Sequence, residues 1–308
     1  MIRNFDDLMA LAKNKEPRIL SVAVAQDEDV LTAVKIATDE GIVKPILVGD
    51  EKKIREITDA MGWTVSPDRI IHIEDVTEAC AVAVKQVTEG KADILMKGLV
   101  DTSIILKAVL NKEANLRTGN VLSHVGVLDI PTYERLLLVT DAAMNIAPDL
   151  ETKKQIIQNA VTVAHSMSIE IPKVAVICAK EKVNPKMQAT VDAEALVDMY
   201  NKDDITGCIV GGPFALDNAV SPEAAKLKGI QHPVAGYADV LMVPTIESGN
   251  ILYKALAFLG GAEAAGLLVG AKVPIIVTSR ADSEKSKLNS IALAMLMASP
   301  NTCSISCD

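Results

Sequence analysis

RILSVAVAQDEDVLTAVKIATDEGIVKPILVG, residues 18–49, is the stretch whose reading decides the fold. It opens on a β-branched run, RILSVAVA (18–25), that reads as a strand. An amphipathic segment follows over 28–40 and ends at Gly41, and KPILVG (44–49) is a second aliphatic run. Strand, helix and strand in a little over thirty residues is the length of one parallel crossover unit.

The rhythm continues outward from there. A charged helix is expected near 50–62, a strand at 70–74, a helix over 75–89 ending at Gly90, a strand at 92–98 and a helix near 102–111. Alternation of this kind predicts an α/β chain whose sheets are rich in parallel strands with flanking helices. Residues 121–140 break it: VLSHVGVLD and RLLLVTD are two runs joined by a Pro-containing connection, which reads as an antiparallel excursion or a domain crossing. Helices are then expected at 150–168, 187–201, 247–259 and 283–298, with strands at 173–179, 207–212, 239–245 and 273–280. No repeat, low-complexity stretch or flexible linker interrupts the pattern. The expectation is two α/β domains around a cleft, one from 1–139 plus 270–308 and the other from 140–269.

Composition narrows the class. The chain has 308 residues, 49% apolar and 23% charged, close to ordinary globular averages and long enough to bury a large core without staples. Net charge is −9 with both signs interspersed, and only eight residues are aromatic, which argues against nucleic-acid binding. No apolar run reads as a membrane span, and MIRNFDDLMALAKNKEPR at the start carries acids and no apolar core of a signal peptide. The expected location is cytoplasmic. Five scattered cysteines fit a reducing compartment. Cys80, Cys178 and Cys208 sit in apolar runs and read as packing residues, whereas Cys303 and Cys307 fall in a polar tail.

In open α/β sheets ligands collect beyond the carboxyl ends of strands, at helix N-termini. Five strand exits carry suitable residues. They hold Lys97, Gly98, Thr102 and Ser103; Asp141 and Asn145; Gly212, Pro213 and Phe214; Glu247, Gly249 and Asn250; and TSRADS at 278–283. Turns and caps need the same residue types, so each exit alone is a weak signal. TSRADS is stronger: Ser279 and Arg280 place a hydroxyl and a planar cation where a phosphate or developing oxyanion would be held. Ser123 and His124 lie in an apolar run, where a hydrogen-bonded structural histidine is the plainer reading. No GxGxxG follows a strand, and GxxxxGK[ST], GxSxG and HExxH are absent.

ADILMKGLVDTS (92–103), KAVLNKEANLRTGNVLSHV (107–125), LLLVTDAAMN (136–145), GGPFALDNAVS (211–221), IESGNILYKAL (246–256) and GAKVPIIVTSRADS (270–283) follow in this order. Together they resemble the phosphate acetyl/butyryltransferase family over nearly the whole chain. The resemblance implies a two-domain fold related to isocitrate and isopropylmalate dehydrogenases, an active site in the interdomain cleft, and a homodimer or larger homo-oligomer. It implies exchange of a short-chain acyl group, butyryl or branched, between CoA and phosphate through a ternary complex. Acyl-CoA, phosphate and acyl phosphate are then the partners, with no metal or other cofactor. Phosphate acetyltransferase is the alternative within the class. A metal- and NAD-dependent dehydrogenase of related fold, or a non-catalytic CoA-binding protein, are the alternatives outside it.

By the same resemblance Ser279 stabilises the oxyanion, Arg280 binds phosphate, Arg117 of the LRTG motif is a second anion-binding cation, and Lys97, Gly98, Thr102 and Ser103 line the phosphate or CoA region. Two departures stand out. The aspartate proposed as base in phosphotransacetylases, seven residues after the serine, is replaced by Ser286, so the candidates here are Asp282 first and Glu284 second. Gly211 stands where butyryl-type sequences commonly carry an acid, which leaves Phe214 as a candidate for shaping the acyl pocket.

Overall fold

Strand-forming runs and amphipathic helices alternate through the computed structural model, which describes residues 2–279 and 281–298. By its internal contacts the chain divides into two units. A flanking unit takes Leu8–Asn120 and the chain from Ala265 onward, and a central unit takes Val121–Ala264 with the residues before Leu8.

A first helix, α1 (Phe5–Lys13), precedes the crossover units of the flanking unit. These run β1 (Arg18–Ala23), α2 (Glu28–Asp39), β2 (Val43–Gly49), α3 (Glu51–Ala60), β3 (Ile70–His72), α4 (Val76–Thr88), β4 (Ile94–Lys97) and α5 (Thr102–Leu110). The central unit holds β5 (Ser123–Asp129), β6 (Leu137–Thr140), α6 (Leu150–Ser166), β7 (Lys173–Ile177) and α7 (Gln188–Asn201). It continues with β8 (Ile209–Phe214), α8 (Leu216–Val220), α9 (Pro222–Leu227), β9 (Val240–Met242) and α10 (Ile246–Lys254), which runs on into a π-helical turn over 255–259. Last come β10 (Glu263–Val269), β11 (Ile275–Ile276) and α11 (Glu284–Met297).

In the flanking unit the strand order is β3-β2-β1-β4-β11-β10. β1 pairs in parallel with β2, Arg18 opposite Val43, and with β4, Leu20 opposite Ile94. Parallel neighbours need a crossover, and α2 and α4 supply it. Asp27, Asp50 and Asp75 cap α2, α3 and α4 by accepting amide N–H groups of their first turns. Gly41 and Gly90, at φ 72° and 71°, end α2 and α4 in the left-handed region that glycine adopts without strain. The caps thus fix where each strand exit opens.

The central unit has the order β5-β6-β9-β7-β8. β5 and β6 are antiparallel, Val125 opposite Thr140, and the remaining pairs are parallel. Residues 121–139 are therefore an antiparallel excursion laddered to β6, and they lie with the central unit. Leu137, Val139, Ala175, Phe214 and Leu241 form part of its buried core.

The structure departs from the sequence reading at several elements. FDDLMALAK (5–13) is helical and EAAGLLV (263–269) is a strand, neither of which was expected. EAAGLLV is rich in Ala and Gly and lacks β-branched residues until its end; pairing of Leu268 with Ile275 draws it into the sheet. The strand expected over 273–280 is confined to Ile275–Ile276, since Pro274 has no N–H to give and the Ser279 N–H goes to Asp282. Gly211, Gly212, Pro213 and Phe214 belong to β8 itself, because Ala175 pairs with Gly211 and Ile177 with Phe214 across a register shift; the exit begins at Ala215. Arg280, Cys303 and Cys307 lie outside the described residues.

Cys80, Cys178 and Cys208 are buried free thiols, and burial pushes each from 9.0 up to about 11. A raised folded pKa means that their contribution to stability is full below pH 9.0 and is lost as pH climbs to about 11. Among the described residues no helix is long and apolar enough to cross a membrane. A thiol reagent near pH 8 should leave at least three of the five cysteines unreacted until the chain is unfolded. Rapid reaction of three or more in the folded protein would contradict this packing.

Candidate active site

The flanking unit brings together the exits of β1, β4 and β11. β4 (ILMK) ends on Lys97, which is only 6% exposed although charged. Its Nζ donates to the carbonyls of Val100 (2.9 Å) and Gly98 (3.3 Å), so the ammonium holds the loop that follows it. Gly98 passes hard against the β1 exit: its N–H donates to the Ala23 carbonyl at 2.8 Å, and a Cβ there would lie 2.3 Å from the Val24 carbonyl oxygen. Glycine is required at this position by contact with the neighbouring backbone.

The β11 exit makes a closed turn. The Ser279 N–H donates to Asp282 Oδ2 at 2.7 Å, the Asp282 N–H returns to the Ser279 carbonyl at 3.1 Å, and Ser279 Oγ accepts the Ala281 N–H at 3.3 Å. Ser283 then caps α11 by accepting the N–H of Ser286, and the two hydroxyls stand 3.1 Å apart. Ser286, which replaces the aspartate, is thus a helix-cap partner. Ser279 itself is exposed at a cavity of about 140 Å³ whose wall includes Thr278, Lys97, Gly98, Asp29 and Lys287. Lys287, Asp27 and Asp29 were not singled out in the sequence; Lys287 lies one turn past the Ser283 cap, and only the structure shows it on the buried face of α11.

The other flanking-unit candidates stand outside that cavity. Thr102 and Ser103 open α5. Arg117 is exposed on a segment pinned at Leu116, whose carbonyl accepts the Lys272 N–H, and bridges to Ala271. Glu284 is exposed in the first turn of α11.

In the central unit a second aspartate shapes a strand exit. Asp141 is 2% exposed and its carboxylate accepts the N–H groups of Ala143, Met144 and Asn145 at 2.9, 2.9 and 3.2 Å and the Asn145 side-chain amide at 2.6 Å. The start of α10 rests on this loop. Asn250 Nδ2 donates to the Ala142 carbonyl at 3.1 Å, and a Cβ on Gly249 would sit 2.5 Å from the Asp141 carbonyl oxygen. Asp141, Asn145, Gly249 and Asn250 therefore share one place, with Glu247 exposed on the first turn of α10.

Ser123, His124 and Phe214 are drawn into packing. Ser123 is buried and accepts Asn159 Nδ2 at 2.8 Å. His124, 8% exposed, meets Tyr253 edge-on at 5.9 Å. Phe214 is a core residue stacked edge-on against His232 at 5.7 Å, while Gly212 and Pro213 are strand residues of β8. The His232 ring also explains Gly211, since a Cβ there would lie 2.4 Å from His232 Cε1. A larger cavity of about 650 Å³ lies where α6, α7 and α10 begin, with Lys153, Asp192 and Thr245 in its wall. Among the described residues no group of three or more His, Cys, Asp or Glu side chains is placed to hold a metal.

The family model described as Phosphate acetyl/butaryl transferase matches residues 4–79 and 72–295. A phosphate butyryltransferase of Clostridium beijerinckii is 50% identical over 301 residues, covering 98% of this chain and 100% of that protein. A phosphate acetyltransferase of Thermotoga maritima is 46% identical over 293 residues, covering 95% and 99%. Among solved structures, a branched-chain phosphotransacylase from Enterococcus faecalis superposes with a TM-score of 0.80 at 36% identity, over 91% of this chain and 98% of that one. A 4-hydroxythreonine-4-phosphate dehydrogenase from Burkholderia phymatum, at 15% identity and a TM-score of 0.57 over 92% and 99%, shares the fold alone.

Removing the Asp141 carboxylate leaves several loop donors without their acceptor. Asp141→Ala should cost about 3 kcal/mol or more in urea unfolding, given about 1.5–3 kcal/mol for a hydrogen bond to a charged group. A loss below about 1 kcal/mol, the size of an ordinary substitution, would contradict the assigned role.

Proposed function

Because the chain belongs to the phosphate acetyl/butaryl transferase family, we propose that it carries a short-chain acyl group between coenzyme A and inorganic phosphate. It is a phosphate acyltransferase, and the observation that carries this is the 50% identity to a phosphate butyryltransferase along essentially the whole of both chains. Butyryl or a branched four- or five-carbon acyl group is the proposed cargo. The likeness to a branched-chain phosphotransacylase structure supports that choice over acetyl.

Toward acyl-CoA, the thiol sulfur attacks the acyl phosphate carbonyl while its proton passes to a carboxylate. The carbonyl π pair moves onto oxygen, and collapse of the tetrahedral species breaks the carbon–oxygen bond to phosphate. No covalent acyl-enzyme and no cofactor beyond the substrates enters this scheme. Holding both reactants together supplies up to about 7–11 kcal/mol in favourable cases. A donor on the developing oxyanion is worth about 2.7–4 kcal/mol, the role we give Ser279. Arg280 is assigned to phosphate.

Asp282 is the proposed base. One of its oxygens accepts the Ser279 N–H at 2.7 Å, which fixes the carboxylate beside the serine. Lys97, Gly98, Thr102, Ser103 and Arg117 are assigned to phosphate or CoA. Ser123, His124, Asp141, Asn145, Gly212, Pro213, Phe214, Glu247, Gly249 and Asn250 are assigned to support and substrate contacts. A cytoplasmic homodimer or larger assembly completes the reading, supported by the exposed apolar side chains of Ile251, Phe258 and Leu259.

Turnover should be faster on butyryl-CoA and isobutyryl-CoA than on acetyl-CoA, measured as phosphate-dependent CoA release. A preference for acetyl would overturn the acyl-length choice. Asp282→Asn keeps an acceptor for the Ser279 N–H and removes proton transfer, so kcat should fall by about 10²–10⁴. Retention of most of kcat would exclude Asp282 as the base.

A further inference from the structure

Lys97, Lys153 and Lys287 are buried lysines. A buried ammonium is tolerated when its donors find acceptors and its charge is offset. Lys153 meets this condition through Asp192, whose side chain is only 14% exposed. Lys287 meets it less well. Its side chain is 3% exposed, and its Nζ donates to the Asp282 carbonyl at 2.6 Å. Among the described residues the carboxylate it pairs with is Asp29, whose oxygen is 3.5 Å away on a side chain that is 55% exposed. One carbonyl and one solvent-facing carboxylate take two of the three ammonium donors and offset little of the charge.

Lys287 shares the cavity beside Ser279 with Lys97, Gly98 and Thr278. The volume, about 140 Å³, equals four or five water molecules at about 30 Å³ each, the bulk of a tetrahedral oxyanion. Two lysines and two hydroxyl-bearing residues line this volume, all from one unit. Of the carboxylates in the same wall, Asp27 caps α2 by accepting the Val30 N–H at Oδ1 (2.9 Å), and Asp29 lies 3.5 Å from Lys287 on a side chain that is 55% exposed. A small, multiply charged oxyanion is the ligand that this donor set fits.

We infer that Lys287 binds a phosphoryl oxygen of inorganic phosphate or of the acyl phosphate in the cavity beside Ser279, with Lys97 as the second cation. The inference rests on the acyltransferase reading for the source of the phosphoryl group. Its bond to the Asp282 carbonyl gives Lys287 a second effect, because the turn bearing Ser279 is then drawn toward the same anion.

The test uses the full chain with Lys287→Met, Lys287→Gln and Lys287→Arg. For the Met and Gln variants the KM for phosphate should rise about tenfold or more, the loss expected for one charge-assisted hydrogen bond, with Lys287→Arg nearer to wild type. The KM for acyl-CoA should stay within about twofold, since of the two substrates only phosphate loses a contact. Inorganic phosphate alone should raise the wild-type Tm, and that rise should shrink in the Met and Gln variants. An unchanged KM for phosphate, parallel rises in both KM values, or a wild-type Tm indifferent to phosphate would overturn the inference. Wild-type protein that shows no phosphate-dependent turnover sinks the acyltransferase reading instead, and the phosphate-induced Tm shift then decides the Lys287 site alone.

Discussion

The turn that presents Ser279 is held by one carboxylate–amide bond, Asp282 Oδ2 to the Ser279 N–H at 2.7 Å. That bond takes Ser279 out of the strand ladder and stops β11 at Ile276. Once the turn is closed, Ser283 is in place to cap α11, and Lys287, one turn further, reaches back to the Asp282 carbonyl. Hydroxyl, carboxylate and ammonium are therefore carried by one stretch of nine residues, 279–287, where a strand gives way to a helix.

A related device shapes the central unit, where Asp141 gathers three backbone N–H groups and the Asn145 amide. In both places an aspartate at a strand exit accepts N–H groups of the loop, and a helix start then rests on what it has ordered. The flanking unit adds lysines to this. Lys97 donates to the loop after β4 and Lys287 to the loop after β11, and both residues line one small cavity. Burying two ammonium groups for stability alone is poor economy, since apolar residues of similar volume are often as good or better. An anion that enters between them gives the arrangement a physical reason.

Much of this was legible in the sequence. β-branched runs alternating with amphipathic segments gave the α/β class, and Gly41 and Gly90 marked the ends of α2 and α4. TSRADS pointed to Ser279 through residue chemistry at a strand exit. The less regular pieces depended on contacts that pattern does not encode. β10 carries Ala, Ala and Gly among its seven residues, and its pairing of Leu268 with Ile275 is not written in that pattern. GGPF looked like an exit by its glycines, yet pairing with β7 keeps it in β8, and Phe214 turns into the core. Gly98 and Gly211 are set by close neighbours, the Val24 carbonyl and the His232 ring, that lie far away in the chain. Lys287 reads as a solvated helix charge until its burial beneath the turn is seen.

The central claim is transfer of an acyl group to phosphate, and ³¹P NMR of the chain with butyryl-CoA and inorganic phosphate tests it most directly. The account predicts a new acyl phosphate resonance that grows in equal amount with the free CoA thiol and disappears when CoA is added back. Release of CoA without that resonance, or at a rate independent of phosphate, would mean that the chain hydrolyses thioesters, and the account would fail.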